Sequence, residues 1–572
     1  MRRRVSLSLL GVVLVAVALS GWAGWRVLQV RDDLSAAQTL ASEVQAELKG
    51  GDVARAEASL PVLRVRFDSA ARRTGGAVWA VAGHVPFVGG SFQAVRRTAL
   101  AAQLLGDKAL PEATAALDLA RRGKLLRSGR VDLAVLAELQ GHVNRAAVAT
   151  ARARTLVAPR NQKLLGSVRA KVDEARLRVG QLDDALQSAQ KALFLAPTML
   201  GRDGPRHYYV AVQNNAEARA TGGLVGAFAL VTADRGTIHL DRTGTDRQLR
   251  IAAAPVPSDP AAARTWTAMG STIAWFDANL TPHFPDAARN LAGQWTAQSG
   301  ERLDGVIALD PLVMSELLKV TGPVRLPDGT AVTSASVVDF VGHDEYVRYT
   351  DVPQRKLLLS ALAADLFHQV IAAKDAIGTM QAFTRAGTSG HFFLWSAHPE
   401  EQAVLSQGLV GGALPVHDSP YLSVLTQNFG GNKLDFYLRR TVVVTPQRDG
   451  FLRLTVTLRN IAPLGLPTYM TVRSDKPTPP VPYGQAKVGF SFYGALSTEV
   501  GDARVDGRPA PMDFDQDHGH RLGTITVEIP RGTERVVTIL LTEPAGELLY
   551  RQQPLVAPDV LSIQVPHRVV GR

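Results

Sequence analysis

The sequence predicts a multidomain α+β protein. Its expected parts are an N-terminal transmembrane helix, a helical bundle or coiled-coil stalk, a central α/β domain and a C-terminal β-sandwich. Three observations carry this. Arg2, Arg3 and Arg4 precede an uncharged stretch from Val5 to Trp25. Most of the chain from Arg31 to Pro197 reads as helix, with the three-and-four spacing of an apolar face clear at Leu34–Leu48 and Leu164–Leu195. From Gly201 short apolar strands alternate with helices, and after Pro420 strands dominate.

Val5 to Trp25 is 21 residues, and a helix of about 20 apolar residues crosses a hydrocarbon core roughly 30 Å thick. Trp22 and Trp25 lie at its far end, where amphipathic rings favour the interface. The arginines keep the N-terminus cytoplasmic and export the remainder. A cleaved signal peptide would begin the same way, with small residues around Ala18, Ser20 and Gly21 as its cleavage site. Length and the aromatic edge favour the anchor, and both readings place the bulk outside the cytoplasm. No later stretch is apolar for long enough to span.

Residues 31–200 are expected to form the bundle. Leu34, Ala37, Leu40, Ala41, Val44 and Leu48 share one face, and Gly50-Gly51-Asp52 interrupts it. Helix-like sequence resumes at about Val53 and again from Ser91, and Leu164–Leu195 is expected to stop at Ala196-Pro197. Between them, Ala77–Gly90 is apolar but broken by Pro86 and glycines. It reads either as a membrane-surface segment or as a buried loop capping the bundle.

Residues 201–420 form the predicted α/β domain. Strands are expected at His207–Val212, Gly223–Thr232 and Asp304–Asp310, with a helix from Pro311 to Val320. Residues 421–572 are expected to be β-rich and immunoglobulin-like, with strands at Thr441–Thr445, Leu452–Leu458, Thr524–Ile529 and Arg535–Leu541.

Hydrophobic residues are 46% and charged residues 20% of the 572 residues, a composition that folds. The absence of cysteine excludes disulfides, thiolate metal sites and a cysteine nucleophile. The net charge of +11 favours polyanions such as anionic head groups or acidic wall polymers, and the membrane segment argues against nucleic acid. Abundant Ala, Val and Arg, with Arg far exceeding Lys, is composition of the actinobacterial, high-GC type.

The most distinctive stretch is Gln213-Asn214-Asn215-Ala216-Glu217-Ala218-Arg219-Ala220-Thr221-Gly222-Gly223-Leu224-Val225-Gly226. On an extended segment Glu217, Arg219 and Thr221 share a face. Gly222 and Gly223 permit close backbone approach. One reading is an anion site in which Arg219 grips a phosphate or carboxylate, aided by Thr221 and the glycine amides. Glu217 would orient Arg219 or, with Asp277 and Asn279, hold a divalent cation. The other reading is a glycine turn pinned by a Glu–Arg pair, with Asn214 and Asn215 satisfying turn backbone. Asp277 and Asn279 then become turn and cap residues, and Asp304 and Asp310 bracket a strand, Asp310 capping the following helix. Arg355 and Lys356 are expected on a solvated helix face. Asp513, Asp515, Asp517, His518 and His520 are expected at a polar hairpin tip, because the spacing lacks the glycine and glutamate of a calcium loop.

This block resembles the core motif of domain-of-unknown-function family 4012, bacterial envelope proteins with the same layout of membrane helix, helical region and outer domain. Asp277-Ala278-Asn279 with Phe284-Pro285, then Asp304–Pro311, Thr321-Gly322-Pro323-Val324 and Asn428–Lys433 continue the likeness across roughly 200–460. His283 departs from it, since the family usually carries an acid there. A strand, an arginine-bearing glycine turn and a later Asp-Gly-Val-Ile strand also resemble, distantly, the LytR–CpsA–Psr family. That likeness implies polymer transfer from polyprenyl pyrophosphate, with arginines and acids around the pyrophosphate.

No phosphate-binding Gly-x-x-x-x-Gly-Lys loop, His-Glu-x-x-His, Gly-x-Ser-x-Gly or dinucleotide fingerprint occurs. The leading expectation is therefore a non-enzymatic envelope protein that binds or organises wall or surface polymers, or envelope partners. The alternative is a transferase acting on a lipid-linked glycan, with Arg219 as clamp and Glu217 and Asp277 as base or metal ligands. It requires these three to converge on a cleft beside an apolar groove.

Overall fold

The computed structural model describes residues 53–571 apart from 122–124, 128, 159–162 and 374, with scattered positions between 36 and 47. The expected membrane helix Val5–Trp25 and the Gly50-Gly51-Asp52 break lie outside these. Among the described residues no helix is long and apolar enough to cross a membrane. The chain divides into two compact units, one through residue 197 and the other formed by 127–130 with 198–572.

Alanine-rich amphipathic sequence in the first unit forms helices α1 (Val53–Arg73), α2 (Ala77–Ala82), α3 (Gly89–Leu104), α4 (Leu110–Arg121), α5 (Leu133–Val157) and α6 (Gly166–Met199). Asp132 caps α5, accepting from the amides of Ala134 at 2.9 Å and Val135 at 3.2 Å. Ala101, Ala153, Val157 and Val179 pack at the centre, and Arg154 reaches Asp183 across α5 and α6 at 2.8 Å. The expected stop of α6 at Ala196-Pro197 is corrected. Pro197 sits inside the last turn, where its missing N–H forfeits a single backbone bond.

In the second unit the three expected strands appear as β1 (Arg206–Arg219) and β2 (Gly222–Asp234), both longer than the sequence suggests, and β4 (Gly305–Leu309), which is shorter; β3 (Thr237–Thr245) and β5 (Phe392–Ser396) are strands the sequence reading does not anticipate. The sheet runs β3-β2-β1-β4-β5, with β4 parallel to β1 and the other pairs antiparallel. Helix α7 (Phe284–Ser299) covers one apolar surface through Phe284, Leu291 and Trp295. Helices α8 (Pro311–Thr321), α9 (Val352–Ala372) and α10 (Ala376–Thr388) share another core around Val313, Leu317 and Leu362. Asp310 caps α8 as expected, accepting from Leu312 and Val313 amides at 2.9 and 3.3 Å.

The β-rich end contains β6 (Tyr421–Asn428), β7 (Leu438–Pro446), β8 (Phe451–Asn460), β9 (Ala486–Tyr493), β10 (His520–Ile529) and β11 (Glu534–Thr542). Two six-stranded sheets enclose one core that draws Val424, Val488 and Phe490 from one sheet and Val442, Leu454 and Ile539 from the other. The immunoglobulin comparison needs correction. The returning segments Leu548–Arg551 and Val560–Ile563 run parallel to β6 and β7, whereas immunoglobulin sheets are antiparallel.

Candidate functional site

The motif owes its shape to a break in register. Between Asn214 and Ala218 the pairing of β1 with β2 shifts, so Asn215, Ala216 and Glu217 bulge out of the ladder. Asn214 Oδ1 accepts from the Ala216 amide at 2.9 Å, and its amide nitrogen donates to the Tyr346 hydroxyl at 2.8 Å. Asn215 donates to Asp310 at 2.9 Å and to the Pro554 carbonyl at 3.1 Å. Gly223 is required by the crossing. A Cβ there would lie 2.0 Å from the Asn214 carbonyl oxygen.

Within this frame Glu217 and Arg219 meet, as the sequence suggested, but they face inward. Arg219 Nε donates to the Phe276 carbonyl at 2.9 Å, and Nη1 donates to the carbonyls of Ala218 at 3.1 Å and Asn428 at 3.3 Å. Its Nη2 lies 3.5 Å from both Glu217 and Asp277, and its side chain is 5% exposed. Lys433 donates to the other Glu217 oxygen. Burial opposes ionisation of Glu217, but the charges of Lys433 and Arg219 outweigh it and hold the carboxyl below its ordinary range. Burial pushes Asp277 up against the opposing charge of Arg219.

Asp435 accepts from the Ala218 amide and from Asn428, each at 2.8 Å, and burial raises it to about 7. Thr221 accepts from Gln213 and Asn279, and Asn279 also donates to the Gly223 carbonyl at 3.0 Å. Arg219 Nε and Nη1 are thus committed to backbone carbonyls, and Nη2 faces inward between two carboxylates rather than toward solvent. Glu217 and Asp277 are held by side-chain cations, which leaves a divalent ion no favourable place between them. Asp304 stands apart, receiving the His207 amide at 2.8 Å and His398 at 2.9 Å.

Beside the bulge lies a small cleft. Lys356, Lys433, Tyr346, Tyr469 and Gln213 line it above an apolar floor that includes Leu224, Met314 and Leu362. Glu217, Arg219 and Asp277 are absent from its walls. Both lysines are already paired, Lys356 with Asp246 at 2.8 Å and Lys433 with Glu217. The expected solvated face at Arg355 is corrected. Arg355 is 2% exposed and stacks over Tyr346 and Tyr469 at 4.7 and 4.4 Å, because nearby Tyr346 and sequence-distant Tyr469 cover that side of α9. Neighbouring Glu345 is raised to about 8 by burial.

The expected polar hairpin tip also needs correction. Residues 513–517 and β10 form the hairpin, but Asp517 and His520 are fully buried. Asp517 accepts from the Ala263 amide at 3.2 Å, Thr281 at 3.0 Å and Tyr493 at 2.7 Å. Sequence reading missed a cluster here. His283, Asp286 and His518 each offer a ligand atom within 4.8 Å of the others. The donor chemistry does not suit a metal. His283 Nδ1 accepts the Leu414 amide at 3.1 Å, so the neutral ring carries its proton on Nε2. The two rings stack at 3.8 Å, His518 contacts Asp286 at 2.8 Å, and Arg289 adds a cation 2.7 Å from the same carboxylate.

Residues 203–346, which carry the bulge, the glycine crossing and the Asp310 cap, match the family described as "Protein of unknown function (DUF4012)". This segment is a DUF4012 domain. No curated protein matches the chain. In this DUF4012 domain the signature residues act as internal fasteners. Their bonding partners include Asn428, Lys433, Asp435 and Gln553, beyond the matched segment.

Proposed function

We propose that the chain is a single-pass, membrane-anchored envelope protein that binds or organises acidic wall or surface polymers, or envelope partners, without catalysing their transfer. The observation that supports the non-catalytic part is the inward orientation of Arg219, whose Nε and Nη1 donate to interior carbonyls and whose Nη2 faces two carboxylates. The transferase alternative needs Glu217, Arg219 and Asp277 to meet and also to open on an apolar groove. They meet, but the cleft is walled by other residues. The anchor and outward orientation rest on Arg2–Arg4 followed by the uncharged Val5–Trp25. Affinity for acidic polymer rests on the net charge of +11.

Two measurements test this. A protease that cannot enter intact cells should degrade the chain from outside, and carbonate washing should leave it in the membrane fraction. Protection in intact cells would overturn the orientation. The purified full chain should retain a polyanionic wall polymer at low salt and release it as screening shortens to about 8 Å near 0.15 M. Release of polyprenyl phosphate or polyprenyl pyrophosphate from a polyprenyl-pyrophosphate glycan, with the glycan passed to an acceptor, would overturn the non-catalytic reading.

A further inference from the structure

The apolar segment 77–90 reads from sequence either as a buried cap or as a membrane-surface element, and its side chains divide between the two. Trp79 is buried, donates from Nε1 to the Phe92 carbonyl at 3.0 Å and meets the Phe92 ring edge-on at 5.1 Å. The turn beyond it points outward. Phe87 is 87% exposed, Val81 68% and Val85 44%.

This turn is firmly held. The Val85 amide donates to the Ala82 carbonyl at 3.2 Å, the Gly89 amide to Val85 at 2.8 Å and the Val88 amide to Pro86 at 2.9 Å. Gln93 clamps the Gly83 carbonyl at 2.7 Å. Gly89 is required at the base, since a Cβ there would meet the Gly83 carbonyl oxygen at 2.4 Å. The closure leaves Phe87 with φ of 68°, a left-handed conformation that bulky residues rarely adopt. A strained, exposed aromatic on a pinned turn is a reason to look for what it meets.

We propose that this tip is a wedge that inserts Phe87, Val85 and Val81 into the head-group boundary of an anionic lipid bilayer. Charge selects that occupant. From residue 69 to 106 the chain has four arginines, Arg72, Arg73, Arg96 and Arg97, and no acid. Arg96 lies seven residues into α3, about 10 Å of helical rise from Gly89 at the base of the turn, which is close to one screening length of about 8–10 Å. A second copy of this chain would bring the same sign of charge and be repelled. A stable protein partner needs roughly 800 Å² on each side, more than three side chains on one turn present. Interfacial insertion asks only for a shallow apolar face about 5–10 Å deep flanked by basic residues. The inference uses no residue of Val5–Trp25 and stands or falls separately from the anchor.

The absence of cysteine makes a site-specific test simple. The full chain carrying Val85→Cys, labelled with an environment-sensitive fluorophore, is reconstituted into phosphatidylcholine vesicles with and without phosphatidylglycerol. The expected result is blue-shifted emission with phosphatidylglycerol, quenched by a lipid bearing a nitroxide near the top of its acyl chain. Phe87→Asp should abolish most of that quenching without changing the circular dichroism, because Asp tolerates the left-handed backbone. A label that stays in water while the chain floats with the vesicles overturns the wedge and leaves the anchor standing. A label in water on a chain that does not float overturns both. A blue shift that grows with protein concentration without lipid overturns the lipid in favour of a second copy.

Discussion

Replacing Arg219 by alanine distinguishes a structural fastener from a ligand clamp. The change strands Glu217, 8% exposed, with Lys433 alone, and leaves Asp277 without its cation. The carbonyls of Phe276, Ala218 and Asn428 each lose a charged donor. Removing one partner of a buried ion pair costs about 3–5 kcal/mol, and the lost carbonyl bonds belong to the same disruption rather than adding to it. Against a usual stability of about 5–15 kcal/mol the deficit is large. Urea unfolding of the full chain, followed by tryptophan fluorescence, should show it as a lowered midpoint.

The deficit should depend on pH. Glu217 is held below its ordinary range in the fold, so its contribution exists above its unfolded pKa and fades as pH falls. Asp277 is raised in the fold and rises further without Arg219, so the variant regains stability where that acid is protonated. Both effects shrink the deficit at acid pH. An Arg219→Ala chain within about 0.5 kcal/mol of the parent at neutral pH, the size of an ordinary surface substitution, would refute the fastener and restore the anion clamp.

Two further substitutions probe the same region. Gly223→Ala places a Cβ 2.0 Å from the Asn214 carbonyl oxygen, so it should destabilise by more than about 1–3 kcal/mol. Gly226→Ala, with nothing within 4 Å of the new Cβ, is its control and should differ far less on the same unfolding curve. Glu345, raised to about 8 in the fold, contributes stability fully below its unfolded pKa and loses it as pH rises toward 8. Stability of the parent should therefore decline across pH 5–8 more steeply than that of Glu345→Gln, as read by unfolding midpoints at each pH.

Strand and cap positions were legible because they follow from local chemistry. The apolar alternation of β7 and β8 and the Asp310-Pro311 start of α8 need no distant partner. The bulge was not legible, since nothing local announces that Asn215, Ala216 and Glu217 leave the ladder. Polar residues on α9 suggested water, yet Arg355 is closed off by Tyr469, more than a hundred residues on. Likewise Asp517 and His518 look like a solvated turn until Ala263, Thr281 and Asp286 close over them. In each case the missing information was a partner far along the chain. The motif misled for the same reason. Glu, Arg, Asp and paired glycines are the residues of an anion site, and they are also what a buried ion pair at a backbone crossing requires.

That double meaning has a consequence for the family segment itself. Within residues 203–346 the Ala218 amide, a Glu217 oxygen and one Arg219 contact all look for partners at Asp435, Lys433 and Asn428. The Arg219 carbonyl receives Gln553, and Asn215 donates to the Pro554 carbonyl. Cut at 346, the segment keeps Arg219 against Glu217 and Asp277 but loses Lys433 and the other distant partners, and each buried polar group left unpaired costs about 1–3 kcal/mol. Five such losses, about 5–15 kcal/mol, are comparable with the whole stability of an ordinary domain, about 5–15 kcal/mol. Residues 203–346 expressed alone should therefore lack a cooperative thermal transition and bind a dye for exposed apolar surface, whereas 198–572 should melt cooperatively. A sharp transition for the short piece would mean that the distant contacts are accessory, and would return Glu217 and Arg219 to the list of groups free to bind something else.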